Sequence, residues 1–207
     1  MTAENLSEVL KLLPSLLWFA LALVVCILFY KPIRYELLPR ITSLKAFGVE
    51  FTFVREALER AIADQKVEVS QGDRSQVLKR AMSAAAVLKG MRVLWVDDHP
   101  EYNQGETELL WSLGVFVRAV RSTAEAITTL AAGRYDAIIS DMEREGNSHA
   151  GTDMVAELWK RHLYRWTVIY VGKLDPARGT PPLVLGITDR PDHLVHYVID
   201  IAERERL

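Results

Sequence analysis

The sequence predicts an α/β domain with a parallel sheet from about Met91 to the end of the chain, preceded by a membrane anchor and a helical linker. Three observations predict this arrangement. After residue 90, short apolar runs alternate with amphipathic helical segments, which is typical of a parallel sheet covered on both faces. Two of those runs end in aspartate. One uncharged apolar stretch near the N-terminus is long enough to cross a bilayer.

Composition places the chain among ordered proteins. It has 207 residues, of which 50% are hydrophobic and 25% charged, and this is unlike a disordered chain. The net charge of −2 lacks the basic excess of a nucleic-acid-binding domain, so we expect no nucleic-acid partner. The single cysteine, Cys26, lies in the most apolar stretch and gives no sign of an oxidising compartment.

The apolar stretch near the N-terminus has no charged residue between Lys11 and Lys31. At about 1.5 Å per residue, a helix of this length spans the hydrocarbon core of about 30 Å. A signal peptide fits poorly, because Glu4 and Glu8 stand where a basic region would be expected. A buried core helix would rarely run so far without a polar face. We therefore predict a single transmembrane anchor over residues 1–31.

The charges that flank this anchor predict its orientation. Only Lys11 precedes it, whereas four basic residues follow it: Lys31, Arg34, Arg40 and Lys45. The positive-inside rule then places the C-terminal domain in the cytoplasm, and we expect a single-pass protein of a bacterial inner (plasma) membrane. The basic segment 31–45 either contacts anionic headgroups or only fixes the topology, and both interpretations stay open.

Residues 32–90 are predicted to form a juxtamembrane and helical linker. The stretch GVEFTF alternates apolar and polar residues, with Val49, Phe51 and Phe53 on one side, which predicts a short strand. Two amphipathic helices follow. Their apolar stripes consist of Val54, Leu58 and Ile62, then of Val77, Leu78, Met82, Ala85 and Leu88 within 75–88.

These two linker helices cannot bury their apolar faces alone. They pair with each other, dock on the α/β domain, or pair with a second copy of the chain, which would make a homodimer. The sequence does not distinguish these three arrangements. Gly90 is predicted to end the second helix as its C-cap.

Five apolar runs predict the strands of the α/β domain. In chain order they are MRVLWV, VFVRAV, DAIISD, TVIYVG and LVLGIT. The helical segments among and after them are ETELLWSLG, STAEAITTLAA, GTDMVAELWKRH and HLVHYVIDIAERERL. Ser122 and Glu125 form a capping-box pattern at the start of the second helix. Residues 173–182 contain three prolines, each costing about 3 kcal/mol inside a helix, so we expect no full helix there.

The acidic residues at the strand ends predict a metal site. The first run ends in Asp97 and Asp98, and the third ends in Asp141. If these strands are neighbours, three carboxylates converge beyond the carboxyl edge of the sheet, where ligands bind in such folds. Carboxylates so close together require a raised pKa or a cation, and their oxygens suit Mg²⁺. A carboxylate beside this metal can attack phosphorus to give an aspartyl phosphate. Three solvated acids at loop starts are the weaker interpretation.

The same motifs resemble the receiver domain of two-component response regulators. The resemblance covers about 91–202 and is carried by VLWVDDHP, DAIISD, Ala150-Gly151 and the sequence DRP at 189–191. It implies a flavodoxin-like, doubly wound, five-stranded parallel sheet. It also implies Mg²⁺ as cofactor and a phosphate donor, which would be a histidine kinase, a phosphotransfer protein or a small phosphodonor.

The resemblance further assigns roles to residues of the acidic site. It makes Asp141 the phosphoacceptor. It makes Asp97 and Asp98 the acidic pocket, with Mg²⁺ held by Asp98, Asp141 and the backbone carbonyl of Glu143.

Several departures from the family pattern bear on switching. Gly172 stands where receivers place Thr or Ser at the end of the fourth strand, and Lys173 follows it. Arg190 stands where receivers place Lys, and it is expected to neutralise the phosphoryl group although its planar fork differs from an ammonium. The loop after Asp141 is long and carries Glu143 and Glu145. The degenerate fourth helix removes part of the usual output face.

The leading hypothesis is a membrane-tethered, stand-alone, receiver-like signalling protein that is not an enzyme. Asp141 accepts phosphate with Mg²⁺, and the output is contact with another protein. The alternative is a pseudo-receiver, a protein-binding module that does not switch by phosphorylation. A third hypothesis is a Mg²⁺-dependent hydrolase of phosphate esters, for which the sequence offers no evident acid to protonate the leaving group.

Overall fold

In a computed structural model of the chain, the structure describes residues 18, 38–175, 177 and 179–205, with side chains described for Trp18 and from Phe51 onward. The chain divides into two compact units, Met1–Val49 and Glu50–Leu207. None of the helices in the described part has an apolar stretch sufficient to cross a bilayer. Apart from Trp18, the predicted anchor over 1–31 lies outside the described residues.

From residue 38 onward, the described part of the chain has three helices before the sheet: α1 (Leu38–Gln65), α2 (Gln71–Ser83) and the one-turn α3 (Ala85–Leu88). The Ser70 hydroxyl accepts from the Asp73 backbone N–H at 3.1 Å and caps α2. The second linker helix therefore begins earlier than predicted. It also breaks at Ala84 rather than running unbroken to Leu88. Gly90 follows α3 with φ 86°, a conformation that glycine adopts without strain.

The strand predicted over residues 49–53 is wrong, because these residues belong to α1. Six residues of alternation compete with a longer helical stripe in which Val54, Leu58 and Ile62 are 1–4% exposed. Phe51 packs against the core while Phe53 is 59% exposed, so the two side chains do not share a buried face as a strand would require. The helical period therefore prevails over the alternation.

The sheet has five parallel strands in the order β2-β1-β3-β4-β5, which confirms the flavodoxin-like arrangement. The strands are β1 (Arg92–Val96), β2 (Phe116–Val120), β3 (Ala137–Ser140), β4 (Trp166–Tyr170) and β5 (Gly186–Thr188). The helices among them are α4 (Gln104–Ser112), α5 (Thr123–Ala132), α6 (Ala150–Lys160) and α7 (Pro191–Arg204), and a 3₁₀ turn (Pro100–Asn103) precedes α4. The residues described between β4 and β5 form no α-helix, as the prolines predict.

Each face of the sheet packs on its own apolar core. Along β1, Val93 and Trp95 belong to one buried cluster, whereas Leu94 and Val96 belong to the other. This alternation follows from the two-residue period of a strand. The capping box predicted for α5 is present, because the Ser122 hydroxyl accepts from the Glu125 N–H at 3.2 Å.

The linker helices dock on the α/β domain, which is one of the three arrangements that the sequence left open. The buried residues of α1 share a cluster with the buried face of α7. Val54, Leu58 and Ile62 of α1 are 1–4% exposed, and fully burying a Leu, Ile or Val side chain contributes about 1.5–3 kcal/mol, so the buried face of α1 is a substantial part of the core. On α2, Arg80 forms ion pairs with Asp200 and Glu203 of α7. Residues 51–90 therefore belong to the same compact unit as the sheet.

Candidate metal centre

The carboxyl edges of β1 and β3 bring three aspartates together. Asp97 and Asp98 follow β1, and the Asp141 N–H donates to the Val96 carbonyl at 2.9 Å, which fixes the end of β3 beside β1. Carboxylate oxygens of Asp97, Asp98 and Asp141 all lie within 4.8 Å of one another. The convergence predicted from the strand ends is therefore present, and three hard oxygen donors so close together fit Mg²⁺.

Hydrogen bonds hold two of these carboxylates in place. Asp97 is buried and accepts at both oxygens, from the His99 N–H at 2.7 Å and from the Asn103 amide at 2.6 Å. Asp98 accepts from the Glu145 N–H at 3.0 Å. Asp97 thus orients the cluster, whereas one oxygen of Asp98 and the Asp141 carboxylate are better placed to meet a cation.

The pKa of Asp141 is higher than that of an ordinary aspartate. Burial raises its pKa to about 6, and the negative charge of Asp97 adds to this effect. Backbone N–H groups of Met142 and Glu143, and the charge of Arg144, act in the opposite direction. A bound cation would favour the carboxylate form and so lower this pKa.

Replacing Asp141 with asparagine is expected to stabilise the metal-free protein. The pKa is 3.8 for an ordinary aspartate and about 6 here, so the folded protein binds more protons than the unfolded chain in that range. Its stability therefore falls as pH rises from about 4 to 6, and the full cost persists above pH 6. Allowing for the half-exposed carboxyl, Asp141→Asn should gain about 1–2 kcal/mol at pH 7.5.

Urea denaturation in a chelator at pH 7.5 and at pH 4 measures this effect. The variant should lose its advantage at the lower pH, and it should be less stable than the parent protein when Mg²⁺ is added. An equal gain at both pH values would contradict the assignment.

Arg144 is a buried cation that the sequence did not reveal. Its guanidinium donates to the Ser140 hydroxyl at 2.6 Å, to the Asp141 carbonyl, and to the Ala150 carbonyl at 3.1 Å. The side chain is only 3% exposed; burial lowers its pKa, while the charge of Asp141 acts against that. Arg144 ties the loop after β3 to the start of α6 and partly offsets the acidic cluster.

The close approach of α6 to this loop explains the Ala150-Gly151 motif. The Gly151 N–H donates to the Met142 carbonyl at 3.0 Å. A Cβ at position 151 would lie 2.7 Å from the Asp141 carbonyl oxygen and 3.2 Å from the Met142 Cα. Only glycine permits this contact, so the motif shapes the loop that carries Glu143.

The aspartates face a cavity of about 780 Å³. Its other polar lining residues are Asp64, Gln65, His99, Tyr102, Asn103, Glu143, Arg144, Glu145, Ser148, Tyr170 and Lys173. Four of the five predicted site residues therefore lie together: Asp97, Asp98, Asp141 and Glu143. The cavity also contains the end of α1, which the sequence did not connect with the site.

The fifth predicted residue, Arg190, is not brought to this cavity. Its guanidinium donates to both oxygens of Asp192, at 3.0 and 2.6 Å, and to Asp73 on α2 at 2.9 Å. These two carboxylates raise the pKa of Arg190. The motif places the Arg190 backbone at the end of β5, but the ion pairs with Asp73 and Asp192 set the direction of its side chain. Lys173, next to Gly172, lines the cavity instead.

A buried polar pair lies beside the cavity. Glu106 on α4 is fully buried and accepts from the Tyr170 hydroxyl at 2.8 Å, while its second oxygen, Oε2, has no hydrogen-bond partner among the described residues. Burial raises the pKa of Glu106, which favours the neutral acid. Sequence reasoning missed the pair because Glu106 lies in an ordinary amphipathic helix.

Replacing Tyr170 with phenylalanine is expected to destabilise the protein by about 1–2 kcal/mol, because Oε1 of the buried Glu106 carboxyl then loses its hydroxyl donor. Thermal and urea unfolding of the variant check this loss. Adding Glu106→Leu to the variant should recover stability, since it removes the stranded acid. A double variant less stable than Tyr170→Phe alone would show that the pair is not the cause.

Comparison with known proteins gives only a distant structural likeness. No family model matches the chain, and no curated protein matches its sequence. The response regulator TrrA from Thermotoga maritima, in complex with Mg²⁺-BeF, is 20% identical, with 54% of this chain and 98% of that chain covered and a TM-score of 0.46. A Francisella response regulator receiver domain is 17% identical over 56% and 99%, with a TM-score of 0.48.

A third solved structure is the Thermotoga maritima histidine kinase ThkA in complex with TrrA. The likeness there is 22% identity over 54% of this chain and 97% of that chain, with a TM-score of 0.47. Likeness at this level assigns no function, so the functional case depends on the site itself.

Proposed function

We propose that the chain is a receiver-like signalling module that is phosphorylated on Asp141 and acts through contact with another protein. The convergence of Asp97, Asp98 and Asp141 at the carboxyl edge of β1 and β3 carries this proposal. Mg²⁺ would be held by Asp98, Asp141 and the backbone carbonyl of Glu143, with Asp97 orienting the cluster. When bound, the ion would neutralise the carboxylates and the oxygens of an incoming phosphoryl group.

In this proposal each residue has a defined role in the transfer. The Asp141 carboxylate attacks phosphorus, and the bond from phosphorus to the donor breaks as its electron pair leaves with the donor. A phosphohistidine of a histidine kinase or phosphotransfer protein fits this chemistry, as does a small phosphodonor. Lys173 supplies positive charge at the cavity wall. Water later cleaves the aspartyl phosphate and restores the carboxylate.

The proposal includes attachment to a membrane. The uncharged stretch between Lys11 and Lys31 and the basic residues that follow it support a single-pass anchor with the C-terminal domain in the cytoplasm. Membrane fractionation of the full-length chain tests this part separately. Extraction by carbonate wash rather than by detergent would count against an anchor.

A binding experiment tests phosphorylation competence. The full-length chain in detergent is used, because α1–α3 share a core with the sheet. Calorimetry should show Mg²⁺ binding and then Mg²⁺-dependent binding of beryllofluoride, a phosphoryl mimic. Asp141→Asn should abolish the second step, whereas Asp175→Asn, an aspartate outside the cluster, serves as the matched control.

The second candidate is a pseudo-receiver that binds a protein without phosphorylation. Gly172 favours it, because position 172 offers no hydroxyl to a phosphoryl group, whereas receivers place Thr or Ser there. Mg²⁺ binding without any beryllofluoride response would support this candidate and contradict the first.

A further inference from the structure

The last turn of helix α1 forms part of the wall of the acidic cavity. Asp64 and Gln65 line the same space as Asp97, Asp98 and Asp141. These two residues lie outside the motifs that resemble receivers. A fourth carboxylate thus reaches the rim of the cavity from a helix that precedes the α/β domain in the chain.

The contact between α1 and α4 is close and depends on a glycine. A Cβ on Gly105 would lie 2.9 Å from the Asp64 Oδ2 and 3.0 Å from the Ala61 Cα. Distances this short leave no room for a side chain, so any substitution must push α1 outward. Ala57 and Ala61, which are 2% and 0% exposed, show how tightly the helix packs along this face.

The end of α1 shares the cavity wall with the end of β4. Gln65 lines the cavity together with Tyr170 and Gly172. The Tyr170 hydroxyl donates to the buried Glu106 on α4, the helix against which α1 packs. The cavity wall is therefore built jointly by α1 and by the segment that ends β4.

We propose that α1 is an intramolecular ligand of the α/β domain and that its docking is coupled to the occupancy of the acidic cavity. This inference rests on the proposed function, because it names what reads the state of that site. The coupling is reciprocal. If a ligand in the cavity strengthens the docking of α1, the docking of α1 strengthens the affinity of the cavity for that ligand by the same factor.

The charge of Asp64 gives the coupling a sign. A divalent cation in the cavity is attracted by this carboxylate, so Mg²⁺ alone should tighten the docking of α1. An anionic phosphoryl group added beside the metal is repelled by the Asp64 carboxylate. It should therefore reverse part of the tighter docking of α1 that Mg²⁺ produces. Asp64 is exposed, so a dielectric close to that of water applies, and over a distance of the order of 10 Å such an interaction changes affinity by about twofold to fourfold.

Hydrogen exchange on the full-length chain measures docking directly. Amides of residues 54–65 are followed without ligand, with Mg²⁺, and with Mg²⁺ and beryllofluoride. Protection of this segment should rise with Mg²⁺ and fall partway back when beryllofluoride is added. Unchanged protection in the presence of bound ligand would overturn the inference and leave the proposed function intact.

Two variants test the reverse direction. Asp64→Asn removes the charge and Gly105→Ala displaces the helix, and each should weaken Mg²⁺ binding by about twofold to fourfold. Gly72→Ala is the matched control, because a Cβ there would meet only the Ser70 Oγ at 3.6 Å. Parent-like Mg²⁺ affinity in Asp64→Asn, which has no steric effect, would overturn the coupling. A parent protein that binds neither Mg²⁺ nor beryllofluoride would overturn the proposed function together with the inference.

Discussion

Replacing Arg144 with methionine is expected to lower the free energy of unfolding by about 3–5 kcal/mol in a chelator at pH 7.5, because several hydrogen bonds from a buried charged donor are lost and each contributes about 1.5–3 kcal/mol. The guanidinium is buried among Asp141, Ser140 and Ala150, and its charge opposes that of the acidic cluster. Without it, two main-chain carbonyls lose a donor and the carboxylates lose their internal cation. Methionine retains much of the volume, so the loss would be electrostatic rather than a cavity effect.

Two further measurements separate charge from geometry in this prediction. Arg144→Lys keeps the charge but cannot donate to several oxygens as a planar fork, so it should lose less stability than Arg144→Met. Mg²⁺ should restore part of the loss in Arg144→Met, because an external cation then offsets the acids. A variant that loses less than about 1 kcal/mol would contradict the role of Arg144, since that is the range of surface ion pairs.

The strands and the acidic cluster were predictable because both depend on local sequence. Short apolar runs such as DAIISD that alternate with helical segments indicate strands of a covered parallel sheet, and an aspartate that ends such a run lies at the carboxyl edge. The observed order β2-β1-β3-β4-β5 then makes β1 and β3 neighbours. Asp97, Asp98 and Asp141 follow from these two facts without any knowledge of side-chain contacts.

Side-chain destinations were not predictable in the same way. Arg144 donates to carbonyl and hydroxyl oxygens at the end of β3, at the start of α5 and at the start of α6, and no spacing in the sequence encodes such a set. Arg190 occupies the motif position that the resemblance implies, yet Asp73, distant in sequence, holds its guanidinium away from the cavity. A motif fixes where a backbone goes, whereas the nearest opposite charges decide where a long side chain points.

Docking of the linker shows the same limit at a larger scale. The stripe of Val54, Leu58 and Ile62 predicted that one face of α1 is buried, and it is. An amphipathic stripe predicts that a helix face is buried but does not identify what covers it. The sequence therefore could not distinguish docking on the α/β domain from pairing of the two helices or from dimerisation. Gly105 was a signal of the contact between α1 and α4. Glycine destabilises the interior of a helix, so its presence there indicates that another segment packs closely against it.

Replacing Gly172 with threonine is expected to strengthen Mg²⁺-dependent beryllofluoride binding by about tenfold or more, since a hydrogen bond to a charged group contributes about 1.5–3 kcal/mol. Gly172 lines the cavity, and a Cβ there would meet nothing within 4 Å, so the side chain enters open space. The hydroxyl would donate to an oxygen or fluorine of the bound group. In the native chain, Lys173 is the neighbouring residue that offers a donor to that group.

The matched control is Gly172→Val, which has the shape of threonine without the hydroxyl. If the hydroxyl acts as argued, calorimetry should separate the two variants by the full tenfold, with valine at or below the affinity of the parent protein. Equal affinities for threonine and valine would mean that β4 does not present this position to the bound group. Tighter binding in the threonine variant alone would mean that the acidic cluster is competent to bind a phosphoryl group and that Gly172 limits its affinity. The native chain would then be a working switch with a low affinity for the phosphoryl group.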